Sequence, residues 1–322
     1  MKGMVYDRYG GPEVLELREV EKPQLADDGM LVHVHAASVN PYDWHMLTGT
    51  PYLARLSAGL RRPKNPLLGG DFAGTVEAVG NDVEGYEPGD EVFGTRTGAF
   101  AEYVCVRKAV ARKPPNVSFD EAAAVGIAAV TALQGLRDKG RLQPGQKVLV
   151  NGASGGVGTY AVQIAKALGA GVTGVCRTGN VDLVRSVGAD QVVDYTKEDF
   201  TRGGDRFDLI LDIAGNRSWA ECKRVLNENG TLVIVGGPKT NRWVGPLGIA
   251  VGRRLASTFG SRRVVAPFLA KLNPEDMAAL ADLLANGKVK SAIDRRYVLE
   301  DLPEALGYVG SGHARAKVVI TV

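Results

Sequence analysis

Residues 148–177 read VLVNGASGGVGTYAVQIAKALGAGVTGVCR. An apolar run passes through a glycine-rich elbow into a helical pattern, and a second apolar run follows, tipped by arginine. Val148 to Val150 form a short run of strand type. Ala153, Gly155 and Gly158 come next at A-x-G-x-x-G spacing, with Gly152 and Gly156 as further small residues and Ser154 and Val157 between them. Glycines so spaced permit a tight turn, close approach of backbone amides to a pyrophosphate, and close packing of helix on strand. Val157, Ala161, Ile164, Ala165 and Leu168 then recur at helical spacing, so the elbow opens into a helix whose positive N-terminal end faces the phosphates. The stretch predicts a dinucleotide site built from residues 152–158.

The second run, Val172 to Cys176, ends where such sites place an Asp or Glu to hold the ribose hydroxyls of NAD, about 20 residues past the glycines. Arg177 and Thr178 stand there instead. A carboxylate would repel a 2′-phosphate, whereas a guanidinium can fork onto its oxygens and a hydroxyl can donate to them. NADP(H) is therefore the expected cofactor. The other reading of Arg177 is a solvated loop residue.

Composition fits an enzyme of two domains. The chain has 322 residues, 45% of them hydrophobic, enough for sizeable cores. A net charge of +3 from 39 basic and 36 acidic residues gives no global reason to bind nucleic acid. Cys105, Cys176 and Cys222 are too few and too scattered for a disulfide framework or a zinc knuckle, which points to a reducing compartment. The start, MKGMVYDRYGG, lacks the apolar core of a signal peptide, and nowhere do about 18 apolar residues run together. No stable membrane insertion is expected, and a cytoplasmic location follows by default.

The patterning changes character twice. Residues 1 to about 115 hold short alternating runs, at 31–39, 74–79 and 100–106, separated by turn signals such as EPGDE at 87–91. From 118 onward helical and strand patterns alternate, with Ser118 as N-cap and Glu121 completing a capping box. Strands are expected at 148–151, 172–176, 191–193, 207–212 and 231–235. Such alternation predicts a doubly wound parallel sheet. A helix with Met277, Leu280, Ala281 and Leu284 on one face follows, and Ala316 to Val322 returns to strand character, expected to rejoin the first module. The fold class is thus α/β, a Rossmann sheet inserted in a mostly β domain. The expected division is 1–117 with 267–322 for the β-rich domain and 118–266 for the nucleotide domain.

The chain resembles the medium-chain dehydrogenase/reductase superfamily, and within it the zinc-independent quinone oxidoreductase branch, to which zeta-crystallin belongs. The carrying motifs are VNPYDW at 39–44, GGDFAG at 69–74, PGDEVFG at 88–94, GAFAEY at 98–103, NGASGGVG at 151–158 and GADQVVDY at 188–195. The resemblance implies a GroES-like catalytic domain around the Rossmann domain, a small-molecule substrate and a homodimer. It also implies further cofactor contacts. Thr131 matches the threonine against the nicotinamide, Gly236 and Gly237 match backbone on its carboxamide side, and Tyr195 matches a tyrosine near the 2′-phosphate. Lys317 matches a basic residue facing the pyrophosphate, and Lys239 a lysine beside the nicotinamide.

Departures from the zinc enzymes are equally informative. Those enzymes place a Cys in the region of Asn40 and Asp43, and a His-Glu pair where this chain has Gly70 and Asp71. His33 and His35 share one face of a strand and, with His45 and Asp71, offer a poor ligand set, so no metal is expected. The structural-zinc lobe is missing too, since 94–101 contains no cysteine. Hydride from NADPH can still go to a quinone or to the β-carbon of an enone or enal, both activated by conjugation. The resemblance points to Asn40, which could orient the acceptor oxygen, and Tyr52, which could donate a hydrogen bond or proton, as catalytic residues. Asp43 reads either as a cap after Pro41 or as a catalytic acid, Tyr42 and Trp44 as packing or site residues, and His45 as a relay or a structural group. Two alternatives stay open: a metal-independent alcohol or carbonyl dehydrogenase, and a non-catalytic NADPH-binding protein. Segments 51–68 and 239–266, apolar and basic, read as walls of the acceptor site, as excursions covering a sheet edge or dimer partner, or as attachment to an anionic membrane.

Overall fold

The computed structural model describes residues 1–237 and 261–322. Contacts divide the chain into two compact units, Met1–Val130 with Lys271–Val322, and Thr131–Ala270. The first joint falls later than the 117/118 position read from the sequence, and the reason is local. Helix α3 (Phe119–Ala123) forms the expected capping box, with Ser118 Oγ accepting from the Glu121 amide and Glu121 Oε2 accepting from the Ser118 amide. It then packs on strands of the first unit.

The first unit is mostly antiparallel β. Strands β1 (Lys2–Val5) and β2 (Glu16–Glu19) form a ribbon. The main sheet is built from β3 (Met30–Val39), β4 (Asp71–Val79), β5 (Glu91–Thr95), β6 (Tyr103–Val106), β7 (Val110–Arg112), β14 (Ile293–Val298) and β15 (Lys317–Thr321). Its order is β14-β15-β3-β4-β5-β7, with β6 pairing on β3. The carboxyl-terminal strand therefore rejoins the amino-terminal module as expected, Val318 opposite Val39 and Ile320 opposite Ala37. Alternation along these strands buries Val32 and Val34 with Phe72, Val76 and Val92 in one core, and Ala37 and Val39 with Val318 and Ile320 in another. Helix α1 (Pro41–Thr48) leaves the end of β3, and a short 3₁₀ turn and helix α2 (Arg55–Ala58) follow. The helix Pro274–Ala285 buries Met277, Leu280 and Leu284, three of the four residues read as its apolar face.

The second unit is a six-stranded, wholly parallel sheet of β8 (Lys147–Asn151), β9 (Gly171–Cys176), β10 (Gln191–Asp194), β11 (Phe207–Asp212), β12 (Leu226–Ile234) and β13 (Arg263–Val265). Its order, β10-β9-β8-β11-β12-β13, reverses direction at β8, the topological switch point of a dinucleotide fold. Helices α4 (Gly126–Leu133), α5 (Gly156–Ala167), α6 (Val181–Ser186) and α7 (Trp219–Val225) connect the strands or lead into them. Helix α5 is buried from Gly158 to Ala165, including Tyr160 and Val162, which lie off the stripe read from the sequence.

Candidate functional site

The glycine elbow occupies the turn between β8 and α5, at the carboxyl end of β8. Gly152 has φ +95°, a left-handed conformation open to glycine. A Cβ on Gly158 would lie 2.1 Å from the Gly152 carbonyl oxygen, so the first turn of α5 packs against the elbow more closely than any side chain permits. Nothing but the Gly152 oxygen at 3.6 Å lies near a Cβ on Gly155. That open, amide-rich concavity at a helix N-terminus suits a pyrophosphate. Ser154 Oγ accepts from Asn180 Nδ2 at 3.0 Å, which ties the elbow to the turn after β9.

At that turn Arg177 is exposed, and its side chain makes no ion pair or hydrogen bond. Thr178 is differently placed from the sequence reading. Its hydroxyl donates to Asp194 Oδ2 at 2.6 Å, and Thr196 contributes its own hydroxyl and amide to Asp194 Oδ1. These hydrogen bonds, Thr178's first, hold the Asp194 carboxyl down to about 2. Thr178 thus spends its proton on a carboxylate at the end of β10, and among the described residues Arg177 pairs with none. Tyr195, next to Asp194, is exposed.

Thr131 lies buried in α4, one turn before the helix widens into a π-helical segment, Gln134–Lys139, an irregularity that recurs at functional sites. Gly236 follows β12, and a Cβ there would meet the Ile213 oxygen at 2.3 Å. Gly237 sits close against Gly215. Lys239 lies outside the described residues, as does most of 239–266. A polar lock that sequence reasoning missed joins these strand ends: Asp212 Oδ1 accepts from Asn151 Nδ2 and the Gly215 amide, both at 2.8 Å. Its one visible signal is that the apolar runs of β8 and β11 both end in a polar residue.

In the first unit, Asn40 is the centre of a buried polar cluster. Its Nδ2 donates to Asp71 Oδ2 at 2.8 Å and to the Ser38 carbonyl at 3.3 Å, and its Oδ1 accepts from Lys317 Nζ at 2.6 Å. Asp71 also takes Ser38 Oγ at 3.1 Å, the Ile127 amide at 2.8 Å and Lys317 Nζ at 3.5 Å. Asp71 and Asp43 are 0% exposed, and Asn40 and Lys317 2%. Burial lowers the Lys317 ammonium from its usual range, against the pull of Asp71 and Asp43. Asp43 caps α1, its Oδ2 accepting from the Asn40 amide at 2.7 Å, while its Oδ1 has no hydrogen-bond partner. Burial, reinforced by Asp71, pushes the Asp43 carboxyl up to about 8.

Both amide hydrogens of Asn40 are therefore engaged inside the protein. The sequence reading gave Asn40 the task of orienting an acceptor oxygen, and the geometry gives it the task of holding Asp71 and Lys317 together. Tyr52 lies beyond the far end of α1, where the Arg55 guanidinium stacks 4.8 Å from its ring and 4.3 Å from that of Tyr9. Tyr42 is exposed, and Trp44 packs on Gly310.

A family model described as "Alcohol dehydrogenase GroES-like domain" matches residues 26–116, and one described as "Zinc-binding dehydrogenase" matches 187–320. The chain is 36% identical to the 2-methylene-furan-3-one reductase of Solanum lycopersicum, over 99% of this chain and 79% of that protein. It is 32% identical to the chloroplastic quinone-oxidoreductase QR1 of Triphysaria versicolor, over 99% of this chain and 98% of the relative. Among solved structures, the Escherichia coli quinone oxidoreductase complexed with NADPH superposes with a TM-score of 0.83 at 27% identity, covering 100% of both chains.

The second of those family descriptions implies a zinc, and the residues do not fit one. Gly70 offers no side chain, the Asn40 amide oxygen is taken by an ammonium, and that buried positive charge would oppose a divalent cation beside it. His33 and His35 stack edge to face on β3, and among the described residues no three His, Cys, Asp or Glu side chains group as a metal site. The two-unit fold, the elbow at the switch point and similarity along nearly the whole chain agree: the chain belongs to the medium-chain dehydrogenase/reductase superfamily, in its zinc-independent quinone oxidoreductase branch.

Proposed function

We propose that this oxidoreductase uses NADPH to reduce a quinone or the conjugated double bond of an enone or enal. The observation that carries the reading is the Asn40–Asp71–Lys317 cluster, in which an internal ammonium fills the donor set that a Lewis-acid metal would need. An acceptor already activated by conjugation suits such a site. The relatives' names, a furanone reductase and a quinone oxidoreductase, are of this substrate class.

When bound, NADPH supplies the hydride. The chain's own residues then bind and orient. The Gly152, Ala153 and Gly155 amides donate to carbonyls within the fold, so those of Gly156, Val157 and Gly158 at the start of α5 receive the pyrophosphate, Arg177 takes the 2′-phosphate with Tyr195 beside it, and Thr131, Gly236 and Gly237 bound the nicotinamide. Tyr52 donates a hydrogen bond to the acceptor oxygen as negative charge develops there. Asn40 acts at one remove, by fixing Lys317 and Asp71.

Loss of NADPH absorbance with a panel of quinones, enals and enones in the presence of EDTA tests the reaction. Turnover undiminished by the chelator is expected, and chelator-sensitive oxidation of a simple alcohol would overturn it. Arg177→Ala tests the cofactor. A charge-assisted phosphate contact is worth roughly 1.5–3 kcal/mol, so NADPH affinity should fall about 10- to 100-fold with NADH affinity unchanged.

A further inference from the structure

The segment after α1 presents an unusual surface. Leu53, Leu56 and Leu60 are 45%, 67% and 67% exposed, three of the nine large hydrophobic side chains standing exposed among the described residues. Hydrogen bonds, not core packing, hold them out. Tyr9 donates its hydroxyl to the Gly59 carbonyl at 2.6 Å, Arg55 Nε donates to the Gly49 carbonyl at 2.8 Å, and the Lys64 amide returns to the Ala58 carbonyl at 2.8 Å. The tip is thus a tied loop that leaves these apolar side chains exposed.

The charge around it is one-sided. Between Asp43 and Asp71 the sequence contains no Asp or Glu but does contain Arg55, Arg61, Arg62 and Lys64, a contribution of +4 in a chain whose net charge is +3. Arg55 is committed to Tyr9, Tyr52 and the Gly49 carbonyl. Arg61, Arg62 and Lys64 are exposed and make no ion pair.

We propose that the tip formed by residues 53–64 docks the protein onto an anionic lipid bilayer, the three leucines entering the acyl boundary and Arg61, Arg62 and Lys64 meeting headgroup phosphates. Charge decides the occupant. A second copy of this chain meeting the patch about a two-fold axis would set the same three cations against themselves, whereas an anionic membrane surface is complementary to cations and leucines together. Docking here would place the enzyme at the phase in which apolar quinones dissolve, but it stands on its own observations and does not require that substrate.

Co-sedimentation of the full chain with vesicles of phosphatidylcholine alone and of phosphatidylcholine mixed with phosphatidylglycerol is the test. Binding to the mixed vesicles at low salt, reversed by high salt, is expected. Each basic residue near an anionic surface changes partitioning roughly fivefold, so Arg61→Ala, Arg62→Ala and Lys64→Ala together should weaken binding on the order of 100-fold. Replacing Leu53, Leu56 and Leu60 by serine should weaken the low-salt binding to mixed vesicles. All six side chains are exposed, and unchanged thermal melts would show that the variants are folded. Absence of pelleting at low salt, equal pelleting with neutral vesicles, or variants that pellet like the parent would overturn the proposal. So would self-association of the parent that disappears in the serine variant, since the patch would then serve a second copy.

Discussion

At the scale of single residues, Asn40 and Asp43 of one capping box, with Asp71 and Lys317 brought in from distant strands, make one electrostatic unit. An ion pair this deep is weak evidence for stability, yet breaking it from one side strands a charge. Lys317→Met should cost about 3–5 kcal/mol in urea unfolding, and Asp71→Asn a comparable amount. The double variant should be less destabilised than the sum by at least about 1 kcal/mol, and strict additivity would mean the two groups do not sense each other. Asp43 gives a pH signature. Its carboxyl rises from 3.8 to about 8 on folding. Below the lower value both states are protonated, and between the two the unfolded chain ionises while the folded chain resists. Stability is therefore lost as pH rises through that window, with a slope of at most about 1.4 kcal/mol per pH unit, and levels off above it. Asparagine at this position keeps an acceptor for the Asn40 amide and cannot ionise. Melting curves of Asp43→Asn should show a flatter pH profile than the parent, and parallel profiles would rule out this assignment.

At the scale of elements, the elbow shows what a sequence can disclose. Strands read at 148–151 and 172–176 stand at Lys147–Asn151 and Gly171–Cys176, because period, β-branching and glycine spacing are local signals. The sequence pattern starts strand β12 at 231, whereas the strand starts at Leu226. Its first half is the polar run LNENG, with Asn229 at φ +65°, and no periodicity marks it. The polar cluster was legible only in part. Asn40 could be picked out by motif, but its partners lie 31 and 277 residues away, and local pattern carries no information about such pairings. Local pattern offers Thr178 as a phosphate donor and carries no sign that Asp194, 16 residues on, accepts its proton. The elbow itself supports a sharp prediction. In Gly158→Ala the new methyl carbon would press on the Gly152 oxygen and the Ala153 backbone. Helix α5 must shift away from β8, so both the thermal melt and NADPH binding should suffer, whereas Gly155→Ala, whose methyl would meet only the Gly152 oxygen at 3.6 Å, should keep the parent's melt and lose NADPH affinity in a fluorescence titration because the methyl enters the pyrophosphate's space.

At the scale of the whole molecule, the order in which the chain is made differs from the order in which it is packed. The first unit cannot close until its last strand arrives, because β15 lies between β14 and β3. That strand also delivers Val318, Val319 and Ile320, each at most 1% exposed, and the Lys317 ammonium beside Asp71. The core of the second unit, from Leu149 to Val264, draws on none of these residues. Deleting residues 317–322 should therefore act unequally. It removes one of the antiparallel partners of β3 and the parallel partner of β14, opens an apolar sheet edge and strands the Asp71 carboxylate, each among the costly defects known for folded domains. The six parallel strands of the second unit keep every pairing they have. Limited proteolysis of the truncated chain should digest both flanks and leave a resistant fragment close to residues 131–270. Uniform digestion of the whole chain, or a first unit as resistant as in the parent, would show that closure by the terminal strand is not what the first unit depends on.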